Sequence, residues 1–342
     1  MNQSHPLFLE ELEAIAAMDL PWGTLRGRTV AVTGAGGLIG RYLIHALNAA
    51  GQKHRLNLHI IALSREPERI RSLLQDVDQL SCIRYDACRT LTAEFRADYV
   101  IHAASNAHPT AFSVNPVETM QANIIGTMQL LERMRETGGR FILCSTGEIY
   151  GENPDCASFS EQDWGKIDPM TARACYPESK RAAEALCASY ARQYGVDALA
   201  ARLTYTYGAT ITKKNSRADA QFLRKALAGE DIVMKSPGSQ IRSYCYAPDA
   251  AAALICLMLR GETAQAYNIA NPDCAASIRS YAQTLADLAG VQLVFDLPPE
   301  QESAGYSQVT RAVLSADKLL ALGWRARYDL REGLRRTLVI SR

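Results

Sequence analysis

Three things are scarce in this chain: surplus charge of either sign, long apolar runs and paired cysteines. Lys plus Arg number 37 and Asp plus Glu 36. That balance excludes a global basic field for nucleic acid or an anionic membrane, so any anionic ligand must be held by a local site. The longest uninterrupted apolar run, Ala250 to Leu259, is ten residues, about half of the ~20 that span a bilayer. No cationic stretch opens the chain, and Glu10, Glu11 and Glu13 fall where a signal peptide would carry its apolar core. The expectation is a cytoplasmic protein without a secretory signal. The cysteines number 9, an odd count with no C-x-x-C pair, and Cys144 and Cys256 sit inside apolar runs. They read as small buried hydrophobes in a reducing compartment. The 6 histidines show no ligand spacing with them, so no metal site is expected.

What is present is an ordinary globular composition, 48% hydrophobic and 21% charged over 342 residues. That length suggests about two domains, or one large α/β domain with a cap. Residues 7–18 read as an amphipathic helix, ended by Pro21 and Trp22, in an extension over 1–27. Strand-like runs follow at 28–33, 58–63, 82–85, 99–102 and 141–145, separated by helices at 41–50, 67–76 and 116–137. Continuous apolar strands alternating with helices predict a parallel, doubly wound α/β sheet covered on both faces. Beyond residue 175 the pattern predicts a helix to Tyr194, a strand over 197–205, a helix over 217–228 and a strand over 243–246. Helix 249–260, strand 267–269, helix 277–289, a Pro- and Glu-rich loop at 298–305 and helices near 315–321 and 330–337 complete it. The division expected is a sheet domain over 28–208, with 243–272 returning to it. A smaller domain would comprise 209–242 and 273–342.

Between the first strand and its helix lies Thr33-Gly34-Ala35-Gly36-Gly37-Leu38-Ile39-Gly40. Gly34 permits a tight turn, Gly37 lets the backbone approach a pyrophosphate, and Gly40 lets the helix pack close. The free N–H groups at the helix start, on Leu38 and Ile39, then meet the anion. The spacing is G-x-x-G-x-x-G, and its strand–helix flanks make it a dinucleotide cradle rather than a plain turn. The second strand ends Ala62-Leu63-Ser64-Arg65, without the acid that usually holds a ribose diol. Arg65 and Ser64 suit a 2′-phosphate, which leans the cofactor toward NADP over NAD. The alternative has Arg65 in solvent and Glu66 on the ribose. Asp86, after the third strand, suits either adenine or a turn cap.

Tyr176-Pro177-Glu178-Ser179-Lys180 opens a helix, with Pro177 in its first turn. Tyr176 and Lys180, four apart, share a face. A tyrosine titrates near ~10 unaided, so service as a base at neutral pH requires a lowered value, which the Lys180 cation and an oxidised nicotinamide would supply. Upstream, Cys144-Ser145-Thr146-Gly147-Glu148 follows the fifth strand and puts Thr146 at its carboxyl end, where such sheets bind ligands.

In this order of glycine loop, Ser-Thr and Tyr-x-x-x-Lys, the sequence resembles the extended short-chain dehydrogenase/reductase family that modifies nucleotide-linked sugars, over nearly everything after residue 27. His102-Ala103-Ala104-Ser105, Asn123-Ile124-Ile125-Gly126-Thr127, Arg242 to Tyr246 with Asp249, Tyr267 to Pro272 and Leu322-Gly323-Trp324 agree with it. The resemblance implies a Rossmann domain with a smaller C-terminal domain that clamps a nucleoside-diphosphate sugar. It implies Thr146 on the sugar 4-hydroxyl, Tyr176 as the base for its proton, and Lys180 on the nicotinamide ribose. Ala103, Ala104, Ser105 and Asn123 would lie along the cofactor, with Asn123 a structural or proton-relay residue. Arg242 and Arg311 would contact the substrate diphosphate. Helices 116–137 and 177–194 would pair across two subunits as a homodimer; a monomeric mass by light scattering would count against that.

Within this family, sugar-nucleotide 4,6-dehydratases show Thr-Asp-Glu and nucleotide-uronic acid decarboxylases Thr-Ser-Glu, whereas 4-epimerases generally lack the Glu. Here the triplet is Thr146-Gly147-Glu148, which keeps the Glu and leaves no acid at Gly147 to protonate a departing 6-hydroxyl. The implied activity is oxidation at C4 followed by action at C5 or C6, by a decarboxylase or a 4,6-dehydratase. A 4-epimerase is the alternative, and a silent dinucleotide sensor the alternative of another class. Tyr205 stands where the family usually has Asn beside the substrate, so it bears on which sugar is bound.

Overall fold

The computed structural model describes residues 3–212, 215–297 and 310–342; the loop expected at 298–305 falls outside the described residues. Elements α1 (Pro6–Ala16), β1 (Thr29–Thr33), α2 (Leu38–His54), β2 (His59–Ser64), α3 (Pro67–Leu73), β3 (Leu80–Arg84), β4 (Tyr99–His102), α4 (Pro109–Val114), α5 (Pro116–Thr137) and β5 (Arg140–Thr146) come first. They are followed by α6 (Cys175–Tyr194), β6 (Asp197–Leu203), β7 (Tyr205–Tyr207), α7 (Ala218–Ala228), β8 (Ile232–Met234), β9 (Ile241–Tyr246), α8 (Ala247–Arg260) and β10 (Ala266–Ile269). The chain closes with β11 (Ala275–Ser277), α9 (Ile278–Ala289), β12 (Leu293–Phe295), β13 (Arg311–Ala312), α10 (Asp317–Ala321) and α11 (Leu330–Ser341).

Seven strands form one sheet in the order β3-β2-β1-β4-β5-β6-β10. Every neighbouring pair in it is parallel. Successive strand residues face opposite sides, and the core divides accordingly. Val30, Val32, Ile60, Ala62, Ile101 and Ile142 pack with α1, α2 and α8. Ala31, Ile61, Leu63, Val100, Phe141 and Leu143 pack with side chains of α5 and α6. This is a Rossmann-like doubly wound sheet, and its strand order reverses between β1 and β4, where such folds open a ligand crevice. The run Ala250 to Leu259 lies in α8, which packs on α2 and β5 and is buried all round from Ala250 to Met258. Among the described residues no helix is long and apolar enough to cross a membrane.

A second layer sits beyond the carboxyl end of β6. Strands β7, β9, β11 and β13 form a four-stranded sheet, β8 pairs with β12, and α7, α9 and α11 pack with them around Tyr207, Tyr244, Tyr246 and Tyr281. Here the sequence expectation differs from the structure. The single strand expected over 197–205 breaks at Thr204, whose hydroxyl donates to the Ser243 carbonyl at 2.7 Å. Tyr205 therefore opens β7 and pairs with Tyr244 in the smaller sheet. Ser243–Tyr246 likewise belongs to that sheet, whereas β10 joins the large one.

The N-terminal extension is built into the core. Phe8 packs on Tyr42 and His45 of α2 at ring distances of 5.2 and 5.4 Å. Glu11, 0% exposed, accepts hydrogen bonds from the hydroxyls of Tyr246 (2.8 Å) and Tyr42 (3.2 Å), with the Arg336 guanidinium 3.6 Å away. Burial pushes its carboxyl up to about 7, against the pull of those three partners.

Candidate active site

At the β1–β4 switch point glycines let the backbone close tightly on itself. Gly34 adopts φ +67°, and a Cβ there would stand 2.7 Å from the Ala103 carbonyl oxygen. A Cβ on Gly40 would stand 2.4 Å from the Gly34 carbonyl oxygen, so α2 begins tight against the loop. Gly37 is the N-cap of α2 and offers no side-chain cap, which leaves the N–H groups of Leu38, Ile39 and Gly40 aimed into the crevice. Thr33 at the end of β1 and His102 at the end of β4 share a hydrogen bond of 2.8 Å, and the Ala104 N–H donates to the same threonine oxygen at 2.9 Å. Glycine cradle, free helix N–H groups and polar strand ends fit a dinucleotide pyrophosphate.

The second strand places Ser64 at its tip, with its hydroxyl accepting from the Glu66 N–H at 3.2 Å, and leaves Arg65 exposed. Glu66 pairs with Arg69 at 2.8 Å. Asp86 is a turn cap: its carboxylate accepts from the Cys88 N–H at 3.1 Å. Asn123 is fully buried between two serines. Its oxygen accepts from the Ser105 hydroxyl at 2.8 Å and its amide donates to Ser179 at 2.9 Å. That bridge ties the loop after β4, α5 and the first turn of α6 into one block, and Ser179 was not singled out in the sequence.

Tyr176 and Lys180 lie on the buried face of α6. The Lys180 ammonium donates to the Cys144 carbonyl at 2.7 Å, and desolvation brings it down to about 8. The Thr146 hydroxyl accepts the Glu148 N–H at 3.2 Å and lies close enough to the Tyr176 phenol to lower it. Thr146, Glu148 and Tyr176 are thus brought together at the carboxyl end of β5. One expectation needs correction. Lys180 was to lower the Tyr176 phenol, but burial pushes that group up to about 12, and the cations that pull it back are Arg217 and Arg173. Lys180 instead spends a proton donor on the strand carbonyl.

Glu148 lies in a short 3-10 turn, Gly147–Tyr150, and its carboxylate pairs with Arg173 at 2.6 Å. A Cβ on Gly147 would come 2.9 Å from the side chain of buried Leu314. Arg217, just before α7, adds positive charge toward Tyr176, Glu148 and Tyr205. Tyr205 lies between two guanidiniums, Arg217 at 5.7 Å and Arg242 at 5.5 Å from its ring centre. Arg242 is only 2% exposed, a buried cation rather than a surface one. Arg311 lies apart on the exposed edge, with Nε donating to the Ala157 carbonyl at 2.7 Å. Sequence reasoning missed Arg173, Arg217 and Phe112. Packing brings Phe112 and Arg217 to Tyr176, whereas Arg173 precedes it in the turn that leads into α6.

Comparison with known proteins agrees with this geometry. The profile of the NAD dependent epimerase/dehydratase family matches residues 30–270. UDP-glucuronic acid decarboxylase 6 of Arabidopsis thaliana is 31% identical over 89% of this chain and 86% of its own length. UDP-glucuronic acid decarboxylase 1 of Danio rerio is 30% identical over 91% and 72%. Among solved structures, dTDP-glucose 4,6-dehydratase from Streptomyces venezuelae, with NAD bound, superposes with a TM-score of 0.78 at 22% identity, covering 91% and 96% of the two chains. UDP-glucuronic acid 4-epimerase from Bacillus cereus, in complex with UDP-glucuronic acid and NAD, gives 0.76 at 21% identity over 92% and 98%. These two show a shared fold. With the profile covering most of its length and the decarboxylases aligned over 89–91% of it, the chain belongs to the NAD dependent epimerase/dehydratase family.

Proposed function

We propose that the chain is a nucleotide-sugar decarboxylase that oxidises C4 of a nucleoside-diphosphate hexuronic acid and releases C6 as carbon dioxide. The observation that carries this is the Thr146-Gly147-Glu148 turn. Glu148 stands at the mouth beside Tyr176, and the neighbouring position, Gly147, has no side chain to serve as an acid. When bound, the nicotinamide supplies an acceptor, and later a donor, for the hydride of C4. The protein side of the chemistry falls to named residues. Tyr176, as phenolate, takes the 4-hydroxyl proton, and Thr146, which acts on the same phenol, would hold that hydroxyl. With a ketone at C4 the C6 carboxylate belongs to a β-keto acid. The C5–C6 bond breaks, its electrons pass into the ketone, and C5 then takes a proton. No protonated leaving group is needed. Arg217 and Arg173 put cations where a sugar carboxylate requires them, and Glu148 stands as the proton-handling or electrostatic partner at C5.

One observation favours a second reading. A carboxylate such as Glu148 suits removal of the C5 proton, which a 4,6-dehydratase needs and decarboxylation does not. Incubation with UDP-glucuronic acid decides between them. Carbon dioxide and a nucleoside-diphosphate pentose, identified by mass spectrometry, are expected. No release from the uronic acid, together with loss of water from a dTDP-hexose, would assign the dehydratase. An unchanged sugar nucleotide in every case would leave a sensor, though Tyr176 and Lys180 are both retained.

The cofactor is NAD or NADP, with NADP favoured by the missing acid at the β2 tip and by Arg65 beside it. Arg65→Ala is expected to weaken NADP by about 10-fold, the loss of one charge-assisted phosphate contact, with little change in NAD. Equal weakening in a fluorescence titration would remove the NADP preference. The same reading pairs two chains through α5 and α6, supported by Val117, Met120 and Met128, which α5 leaves exposed. It also assigns the cofactor to the large sheet and the nucleotide sugar to the smaller layer.

A further inference from the structure

Glu148 and Tyr176 come from different elements, the turn after β5 and the start of α6, yet the proposed reaction needs them over adjacent carbons of one sugar ring. One side chain touches the surroundings of both. Arg173 lies in the 3-10 turn Ala172–Ala174 that leads into α6. Its Nη2 reaches the Glu148 carboxylate at 2.6 Å. Its guanidinium also covers the ring of Phe112, with the carbon 4.7 Å from the ring centre. Phe112, on α4, in turn stacks on the Tyr176 ring at 4.6 Å and 23°. The result is a column of guanidinium, phenyl and phenol, with the carboxylate bonded to its outer end. Phe112, Cys175 and Tyr176 form a small apolar cluster of their own at this mouth.

The three layers lock one another. Stacked rings at this separation are favourable beyond their buried area, and a guanidinium over a ring adds a cation–π attraction. Phe112 is 2% and Tyr176 4% exposed, so the rings have little freedom. Arg173 is different, with its side chain 52% exposed. An arginine with that much solvent gains little from a surface ion pair alone. The bidentate use of its plane, one edge for Glu148 and one face for Phe112, is what fixes it.

We propose that Arg173 is a positioning residue for both proton-handling groups: it fixes the Glu148 carboxylate directly and the Tyr176 phenol through Phe112, so that they address neighbouring carbons of the same substrate. This rests on the reading of Tyr176 and Glu148 given above. The electrostatics point the same way. The groups that act on the phenol are Glu148, which raises it, and Arg217, Thr146 and Arg173, which lower it. Removing Arg173 deletes one of the lowering charges. The phenolate then forms at higher pH, and the limb of the rate profile that needs it moves toward alkali.

The test compares Arg173→Met, Arg173→Lys and Phe112→Leu with wild type, using the full-length protein with cofactor and sugar nucleotide. Arg173→Met is expected to lower kcat by about 10- to 100-fold, with KM for the sugar nucleotide within about three-fold. It should also shift the alkaline-rising limb upward and let 4-keto sugar escape before the later step. Arg173→Lys, which keeps the charge but loses the planar stack, should restore the limb while kcat stays reduced. Phe112→Leu should reduce kcat without moving the limb as far. A wild-type kcat and pH profile in Arg173→Met would overturn the proposal. So would a lowered melting temperature with an unshifted limb and no escaping keto sugar, because that pattern belongs to a purely structural residue. The controls separate two failures. If Tyr176→Phe and Glu148→Gln turn over normally, the functional reading falls. If they are impaired and Arg173→Met is not, only the positioning role falls.

Discussion

Tyr176→Phe is expected to lower turnover by about 10³-fold, within the range for loss of a positioned acid–base group. Binding of cofactor and sugar nucleotide should change by less than about three-fold. The ring survives in the variant, so the stack on Phe112 at 4.6 Å is kept and the fold has no reason to change. Only the phenol oxygen is removed. Stopped-flow measurement should find almost no 4-keto sugar. The ligand-free phenol stands at about 12 because burial outweighs the cations around it. The chain by itself therefore does not make a base that works at neutral pH. Positive charge brought by the bound cofactor has to supply the rest, and without it the wild-type protein should show the phenolate only in strong alkali. Near-normal oxidation by the phenylalanine variant would remove Tyr176 from the proton path.

Glu148→Gln is expected to separate the two halves of the reaction. Oxidation at C4 should proceed, 4-keto sugar should accumulate, and final product should appear about 10²-fold more slowly. Its carboxylate raises the Tyr176 phenol. A neutral glutamine therefore lowers the phenol, and the limb that depends on phenolate moves toward lower pH, opposite in sign to the shift from removing Arg173. Rapid-quench chromatography of the sugar nucleotides reads both effects. If Glu148→Gln makes product at the wild-type rate, the role at C5 is wrong.

Much of this site is legible in one dimension because its parts are local. The glycine loop, the Thr146 turn and the Tyr176–Lys180 pair each fit within one strand end or one helical turn, where spacing determines direction. Strand 99–102 and helix 116–137 were read to their observed ends for the same reason. Arg173, Phe112 and Arg217 carry no such signature. Phe112 and Arg217 reach Tyr176 from segments joined only by packing, and Arg173, though it directly precedes α6, is in sequence silent about what lies above its plane. The break at Thr204 was also hidden. Apolar character runs on through Tyr205 to Tyr207, and only the pairing with β9 shows that the chain has changed sheets. Strands of two or three residues, such as β8, β11 and β13, are too short for periodicity to register.

The first helix has a consequence for how the molecule is made. Its buried Glu11 meets Tyr246, 235 positions further on, and Arg336 near the other end of the chain holds Glu10 at 2.7 Å. During synthesis α1 precedes all of these partners: α2 follows at once, but the Tyr246 hydroxyl comes 235 positions after Glu11 and the Arg336 guanidinium later still. The seat of α1 is thus completed late. Until then Phe8, Leu12 and Ile15 wait only partly covered, a long-range closure of the kind that slows folding and leaves apolar surface open to other chains.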